Sequence, residues 1–174
     1  MNTKHCVAVA EDDRDEVFLL RWAFEKAGLD HQFIELNDGE AIIAYLSGTP
    51  PYDDRVRFPL PRLLLLDLKM PKRNGFEVLA WLAARPDLNN LPAVVLTSSQ
   101  FGDDIQMAKK LGAREFLTKP HDLNDLVRLV QGLHQRWLAL ETPVAPTVPT
   151  VAHSRFPHKI HQPLINIRAV HRAS

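Results

Sequence analysis

Two patterns of apolar residues alternate along most of this chain. Short apolar runs, which are typical of buried strands, are each followed by a longer stretch in which apolar residues recur at helical spacing. Five such pairs fit between residues 5 and 140, before the pattern ends. The five predicted strands cover residues 7–10, 32–36, 63–66, 93–96 and 115–117.

Glycines and prolines mark where the predicted helices end. Gly28 closes the first helix, Gly112 closes the fourth, and Pro86 ends the third. Residues 47–61 form a long connection that contains four prolines and one glycine. Because connections of this length are uncommon inside compact domains, we interpret it as an insertion before the third strand.

Repeated alternation of strand and helix predicts an α/β protein with a parallel sheet covered on both faces. Five short strands suit the flavodoxin-like (βα)5 fold, a doubly wound parallel sheet with strand order 2-1-3-4-5. In such folds, ligands bind beyond the carboxyl ends of the strands, in a crevice where the strand order reverses. We therefore expect the functional site at the edge of the sheet where the carboxyl ends of the strands lie.

The composition and the hydrophobic pattern of the chain change after residue 140. Residues 143–163 contain five prolines, and apolar periodicity disappears. We predict one folded domain over residues 1–140 and a Pro-rich, mildly basic, weakly ordered tail over residues 141–174. The tail holds four histidines, but apart from Glu141 at its start no carboxylate or thiolate accompanies them to support a metal site. A segment that folds on contact with a partner is the second interpretation of the tail.

Charge and composition narrow the function classes. The chain has 21 acidic and 21 basic residues, and only one of the acids but four of the bases lie after residue 140. The mildly acidic body predicts no nucleic-acid partner. A single cysteine, Cys6, excludes an internal disulfide and a cysteine-based zinc site. No signal peptide and no apolar stretch near the ~20 residues of a membrane span are visible, so we predict a cytoplasmic protein without a membrane partner.

Polar side chains follow four of the five predicted strands. Glu11 and Asp12 follow the first strand, Asp67 follows the third, Thr97 the fourth and Lys119 the fifth. Parallel strands bring these exits to one edge of the sheet. Three carboxylates gathered there would repel one another unless a cation joined them. Hard oxygen ligands with positions left open for water and phosphate describe a Mg²⁺ site rather than a zinc site.

These side chains supply the parts for phosphoryl transfer. We predict that Asp67 is the nucleophile, that Lys119 neutralises the transferring oxygens and that Thr97 bonds one of them in the product. The backbone carbonyl of Lys69 is predicted to complete the metal shell. Taken singly, each residue has a plainer interpretation as a helix start, a strand end or a surface lysine. We favour the joint interpretation because perturbed carboxylates gather at functional sites.

The motifs resemble the receiver domain of two-component response regulators in both order and spacing. The resemblance covers about residues 5–140, and Gly75 also matches. It rests on the segments VAEDD at residues 9–13, LLDLKMP at 65–71, VLTSS at 95–99 and FLTKP at 116–120.

The resemblance implies specific roles for the strand-exit residues. Asp67 would accept a phosphoryl group from a phosphohistidine on a sensor histidine kinase. Asp12, Asp67 and the Lys69 carbonyl would bind Mg²⁺, and Glu11 would act through water.

The resemblance also implies a switch. Thr97 and Phe116 would form the switch pair, and phosphorylation would change the face built from helix 4, strand 5 and helix 5. The bond between Lys119 and Pro120 would be a cis peptide. The chain is therefore predicted to be a signalling module and not an enzyme.

Finer features point to a subfamily. The Pro-containing loop before strand 3, the segment PDLNNLP before strand 4 and the run VVLTSS resemble the single-domain regulators paired with bacterial phytochrome kinases. The tail is too short for a DNA-binding output domain, so direct transcription control is not predicted.

Helix 5 is predicted to carry more apolar surface than one core stripe needs. Two explanations stay open: a wide core face, or a homodimer through helix 4, strand 5 and helix 5. The predicted inner stripe is Leu123, Leu126, Val127, Val130 and Trp137, and the residues beside it are Leu129, Leu133 and Leu140.

Two other functions compete with the phosphoacceptor. An aspartyl-phosphate phosphatase of the haloacid dehalogenase type needs a second aspartate two residues after the nucleophile, and this chain has Lys69 there. A pseudo-receiver that acts only as an interaction module would lack an acceptor or metal ligands, whereas this chain has candidates for both.

Overall fold

A computed structural model of the chain describes residues 4–139, in which strands and helices alternate as the sequence predicts. The strands are β1 Cys6–Ala10, β2 Gln32–Leu36, β3 Leu63–Leu66, β4 Ala93–Thr97 and β5 Glu115–Thr118. The helices are α1 Arg14–Lys26, α2 Gly39–Ser47, α3 Gly75–Ala83, α4 Gly102–Lys110 and α5 Leu123–Leu133. The predicted tail over 141–174 lies outside the described residues. No helix within residues 4–139 has the length and apolar character that a bilayer crossing requires.

The five strands form one parallel sheet in the order β2-β1-β3-β4-β5. This confirms the predicted flavodoxin-like fold. Ala10, near the end of β1, lies opposite both Leu36 and Leu66. Further along the sheet, Val95 lies opposite Leu66 and Phe116. This register brings the carboxyl ends of the strands level at one edge.

The leucine run of β3 is buried on both faces of the sheet. Leu64 and Leu66 belong to the core cluster that includes Ile42 of α2 and residues of α3. Leu63 and Leu65 belong to the other cluster, with residues of α1 and α5. A continuous apolar run, rather than an alternating one, is what two covered faces require.

The connection over residues 48–62 folds back onto α2. The guanidinium of Arg55 donates hydrogen bonds to the carbonyls of Tyr45 and Leu46, each at 2.8 Å. The Tyr45 hydroxyl donates to the carbonyl of Pro59 at 2.6 Å. The two Arg55 bonds satisfy carbonyls in the last turn of α2, which have no N–H partner within the helix, and the Tyr45 bond ties the connection to the same helix.

The prediction of a cis bond between Lys119 and Pro120 is wrong. Within residues 4–139, the cis peptide bond joins Pro50 to Pro51. The trans isomer that Lys119–Pro120 adopts is the lower-energy form of an X-Pro bond.

Helix α5 packs differently from the predicted stripe. Leu133, placed beside the stripe, is fully buried in the core, whereas Leu123, placed within it, is 44% exposed. Leu129 is half-buried and packs against the same core cluster as Leu133. Most of the extra apolar surface of α5 is therefore a wide core face, which removes the sequence argument for a dimer. The helix continues into a π-helical turn, His134–Leu138.

Candidate functional site

Backbone hydrogen bonds carry the sheet ladder one residue past the strand ends. The N–H of Glu11 donates to the Leu36 carbonyl at 2.9 Å, and the N–H of Asp67 donates to the Ala10 carbonyl at 3.0 Å. On the other side of the sheet, the N–H of Lys119 donates to the Thr97 carbonyl at 2.9 Å. The side chains that the sequence singled out are thus fixed at one edge.

Three carboxylates meet at this edge. Oxygens of Glu11, Asp12 and Asp67 all lie within 4.8 Å of one another. Glu11 and Asp67 are buried, and Asp12 is exposed, so the cluster opens to solvent on one side. Opposite ligands of Mg²⁺ stand about 4.2 Å apart, given Mg–O bonds of about 2.1 Å. The spacing and the all-oxygen donor set fit one such ion, with room for water.

Lys119 lies inside this acidic cluster. Its Nζ is 2.5 Å from Oε2 of Glu11, 3.8 Å from Oδ1 of Asp67 and 3.9 Å from Oε2 of Glu16. Burial alone would lower the pKa of Lys119, but the hydrogen bond to Glu11 and the charge of Asp67 outweigh it and raise that pKa above its usual value. Burial also raises the pKa of Glu11, and the opposing effect of Lys119 does not cancel it. Lys119 is therefore a firmly charged group beside Asp67.

The turn after Asp67 curls back over that residue. The backbone N–H of Lys69 donates to Oδ2 of Asp67 at 2.8 Å, and the Lys69 side chain is exposed. Gly75 closes the turn, with its N–H bonded to the Leu68 carbonyl at 3.0 Å. A Cβ at position 75 would stand 2.4 Å from the Asp67 carbonyl oxygen, so only glycine fits there. The role of the Lys69 carbonyl as a metal ligand stays a prediction.

Thr97 and Phe116 lie on neighbouring strands of the sheet. Thr97 is fully buried, and its Oγ1 accepts a hydrogen bond from the N–H of Ser99 at 3.3 Å. The Ser99 hydroxyl donates in turn to the carboxylate of Asp104 on α4. Phe116 is half-buried against the core cluster that contains Val95. Their role as a switch pair stays a prediction.

Sequence reasoning missed two of the acids at this edge. Glu16 lies in the first turn of α1, where an acid is expected because it interacts favourably with the helix dipole, so its position did not single it out. Asp104 stands in the first turn of α4, where an acid is expected for the same reason, although it accepts a hydrogen bond from the Ser99 hydroxyl. An acid six or seven residues after the end of a strand is the signal that both share, and it is too common to be specific.

Comparison with known proteins places this geometry in a family. The response regulator receiver domain family matches residues 7–131. Response regulator Rcp1 from Synechocystis sp. is 37% identical over 141 residues, which cover 81% of this chain and 94% of Rcp1. A crystal structure of the Mn²⁺-bound form of Rcp1 superposes with a TM-score of 0.71 and covers 81% of this chain and 99% of that one.

A second solved structure agrees with the first. The phosphorylated cyanobacterial phytochrome response regulator RcpA superposes with a TM-score of 0.73 at 31% identity, over 80% of this chain and 98% of that one. The matched region contains the whole sheet except Cys6, the first residue of β1, and it contains every strand-exit residue described above. The chain therefore belongs to the response regulator receiver domain family and is similar to the single-domain regulators of phytochrome signalling.

Proposed function

We propose that this chain is the phosphoacceptor of a two-component phosphorelay, and that Asp67 receives the phosphoryl group with Mg²⁺ bound beside it. The observation that carries the proposal is the position of the Asp67 carboxylate, next to Glu11 and Asp12 and 3.8 Å from the Lys119 ammonium. A nucleophilic oxygen, ligands for a divalent cation and a compensating charge thus occur together. These are the recurring parts of phosphoryl-transfer sites.

The transfer itself is a displacement at phosphorus. A carboxylate oxygen of Asp67 attacks the phosphorus of a phosphohistidine, so that a P–O bond forms as the P–N bond breaks and the leaving imidazole takes up a proton. Lys119 stabilises the negative charge on the phosphoryl oxygens, and the Lys69 N–H orients the carboxylate through Oδ2. When bound by Asp12, Asp67 and the Lys69 carbonyl, with Glu11 acting through water, Mg²⁺ supplies further positive charge.

The product would change the bonding of Thr97. A phosphoryl group adds close to two negative charges at neutral pH and three strong acceptor oxygens. The Thr97 hydroxyl would donate to one of these oxygens and give up its contact with the Ser99 N–H. The ring of Phe116 would turn into the space that Thr97 leaves. The surface formed by α4, β5 and α5 would then change shape, so that phosphorylation of Asp67 alters the binding of a partner at that surface.

The proposed phosphoryl donor is a sensor histidine kinase of the bacterial phytochrome type. RcpA, which is similar to this chain, is a cyanobacterial phytochrome response regulator. The match to Rcp1 covers 94% of the length of Rcp1. Phosphotransfer from a phosphorylated phytochrome kinase to this chain, measured by transfer of labelled phosphate, tests the pairing. A kinase of another sensory class that transfers faster at equal concentration would contradict it.

The phosphoacceptor proposal is tested by incubating the chain with acetyl phosphate and Mg²⁺ and measuring the intact mass. We expect a gain of one phosphoryl group that Asp67→Asn abolishes. Asp87→Asn is the matched control, because Asp87 is an exposed aspartate whose pair with Arg85 lies outside the site. A gain that survives in Asp67→Asn, or a wild-type chain that gains nothing, would overturn the proposal.

Two further measurements separate the competing functions. Repeated turnover of small phosphate esters would favour a phosphatase, whose second acid is replaced here by the exposed Lys69. Partner binding that is identical for the wild type and Asp67→Asn, without any mass gain, would favour a pseudo-receiver.

We also propose homodimerisation through the surface formed by α4, β5 and α5. Phe101, the residue just before α4, is 70% exposed, and Met107 of α4 and Leu123 of α5 are also exposed apolar residues. Sedimentation of the chain with and without beryllofluoride as a phosphoryl mimic tests it. A monomer under both conditions would reject the dimer.

A further inference from the structure

The loop between β3 and α3, residues 68–74, is anchored to the start of α2. Nζ of Lys72 lies 2.6 Å from Oδ2 of Asp38, the residue just before α2. The same loop carries Lys69, whose N–H is bonded to Asp67. A contact 34 residues away in sequence thus bears on the backbone that surrounds the proposed phosphoacceptor.

Asp38 uses both of its carboxylate oxygens. Oδ1 accepts a hydrogen bond from the Ala41 N–H at 2.7 Å and caps α2, while Oδ2 is left to bind Lys72. Asp38 is only 4% exposed. Burial alone would raise the pKa of Asp38, but the bonds from Lys72 and Ala41 outweigh it and hold that pKa below its usual value. One ionised carboxylate therefore joins two elements of the fold.

The backbone around Lys72 is shaped for this contact. Lys72 has a φ of 62°, in the left-handed region that residues other than glycine rarely adopt. Next to it, the Arg73 carbonyl is pressed against Gly39, where a Cβ would stand 2.1 Å from the oxygen. Strained backbone persists only where its surroundings hold it in place.

The plain alternative is an ordinary surface ion pair. The Lys72 side chain is 57% exposed, and exposed pairs contribute little to stability. Three features distinguish this pair from an ordinary surface ion pair. Asp38 is buried, the backbone of Lys72 is in the left-handed region, and Gly39 lies so close to the Arg73 carbonyl that no side chain would fit there.

We infer that Asp38 is a positioning residue for the phosphorylation site, which acts through Lys72 to hold the β3–α3 loop against Asp67. The inference rests on the proposed function of Asp67. Asp38 does not touch the reacting atoms. The pair fixes the backbone of residues 68–74, and that backbone places the Lys69 N–H on Asp67 and carries the Lys69 carbonyl that is predicted to bind the metal. Partners of this kind tune metal sites without binding the metal.

The experiment compares Lys72→Met, which removes the charge, with Lys72→Arg, which keeps it. The matched control is Arg85→Met, which cuts an exposed ion pair at the other end of α3. Three quantities are measured: amide hydrogen exchange at Lys69 in metal-free protein, the Mg²⁺ dissociation constant by calorimetry, and the rate of phosphorylation by acetyl phosphate. The unfolding free energy of each variant is recorded alongside.

We expect Lys72→Met to speed Lys69 exchange and to weaken Mg²⁺ binding about tenfold. Lys72→Arg should restore both, and the control should match the wild type. Unchanged exchange and Mg²⁺ affinity in Lys72→Met, or an equal effect in Arg85→Met, would overturn the inference. The exchange measurement needs no phosphorylation. If the wild type gained no phosphoryl group, the proposed function would fail, and Lys69 exchange would still decide whether the pair holds the loop.

Discussion

Lys119 is closer to Glu11 than to Asp67: its Nζ lies 2.5 Å from Oε2 of Glu11 and 3.8 Å from Oδ1 of Asp67. The lysine is therefore hydrogen-bonded to Glu11, and its ion pair with the proposed phosphoacceptor is the longer of the two contacts. Lys119 and a bound Mg²⁺ would compete for the same carboxylates. The phosphoryl group would give Lys119 a new partner and draw it away from Glu11.

Replacing Lys119 by methionine should have opposite effects on the two functions of the site. Mg²⁺ should bind several-fold more tightly, because the acids lose their competing cation. Phosphorylation by acetyl phosphate should slow about 100-fold, because the charge that stabilises the transferring oxygens is gone. Calorimetry and a mass time course measure the two effects, and Lys110→Met at the exposed end of α4 is the control. Weaker Mg²⁺ binding in Lys119→Met would contradict this description of the site.

Gly75→Ala should destabilise the fold and slow phosphorylation together. The new methyl group would stand 2.4 Å from the Asp67 carbonyl oxygen, so the backbone beside the phosphoacceptor must move. We expect a loss of about 1–3 kcal/mol in the unfolding free energy, measured with urea. Gly102→Ala is the matched control, because a Cβ at that position meets nothing within 4 Å. Equal stabilities of the two variants would show that the close approach at Gly75 has no cost.

The unfolding free energy should fall in acid because of His31. This residue is 6% exposed, and its Nδ1 accepts a hydrogen bond from the backbone N–H of His5 at 3.3 Å. Nε2 of His31 therefore carries the hydrogen and donates to Nδ1 of His134 at 3.1 Å. Burial, followed by the charges of His134 and His5, lowers the pKa of His31 to about 4; nearby Asp30 opposes this shift and Lys4 adds to it.

The sign of the pH effect follows from that lowered pKa. Below about pH 6.5 the unfolded chain protonates this histidine while the folded chain does not, so protons favour unfolding. Stability should be complete above pH 6.5 and should fall by up to about 3 kcal/mol as the pH drops to 4. Urea unfolding across this range measures it for the wild type, His31→Gln and the exposed-site control His121→Gln. The same slope in His31→Gln as in the wild type would rule out this origin.

Asp104→Ala should favour the phosphorylated state. The Ser99 hydroxyl is held by Asp104, and the Ser99 N–H is held by Thr97. Releasing Ser99 frees Thr97 to turn toward a phosphoryl group and removes a nearby negative charge. We expect beryllofluoride to bind about fivefold more tightly, which corresponds to about 1 kcal/mol for one hydrogen bond. Asp103→Ala, at the exposed neighbouring position, should change nothing, and weaker binding in Asp104→Ala would refute the coupling.

Local patterns predicted the elements well because each strand and helix carries its own periodicity. Leu63–Leu66 is apolar at every position because helices cover both faces of the sheet there. The same logic failed on α5, where Leu123 and Leu133 have the same side chain, but Leu123 is exposed and Leu133 is buried. Periodicity shows that a face is apolar, but it does not show how far the neighbouring elements cover that face.

The amino-acid order alone was enough to predict the sequence of elements, the fold and the residues that stand at the strand exits, because hydrophobic spacing and the direction of the chain are local properties. Which of those residues touch one another depends on the packing of the folded chain. Lys119 meets Glu11 across 108 residues, Lys72 meets Asp38 across 34, and His31 meets His134 across 103. Such contacts depend on how whole elements pack and on backbone conformations such as that of Lys72, and no spacing along the chain encodes them.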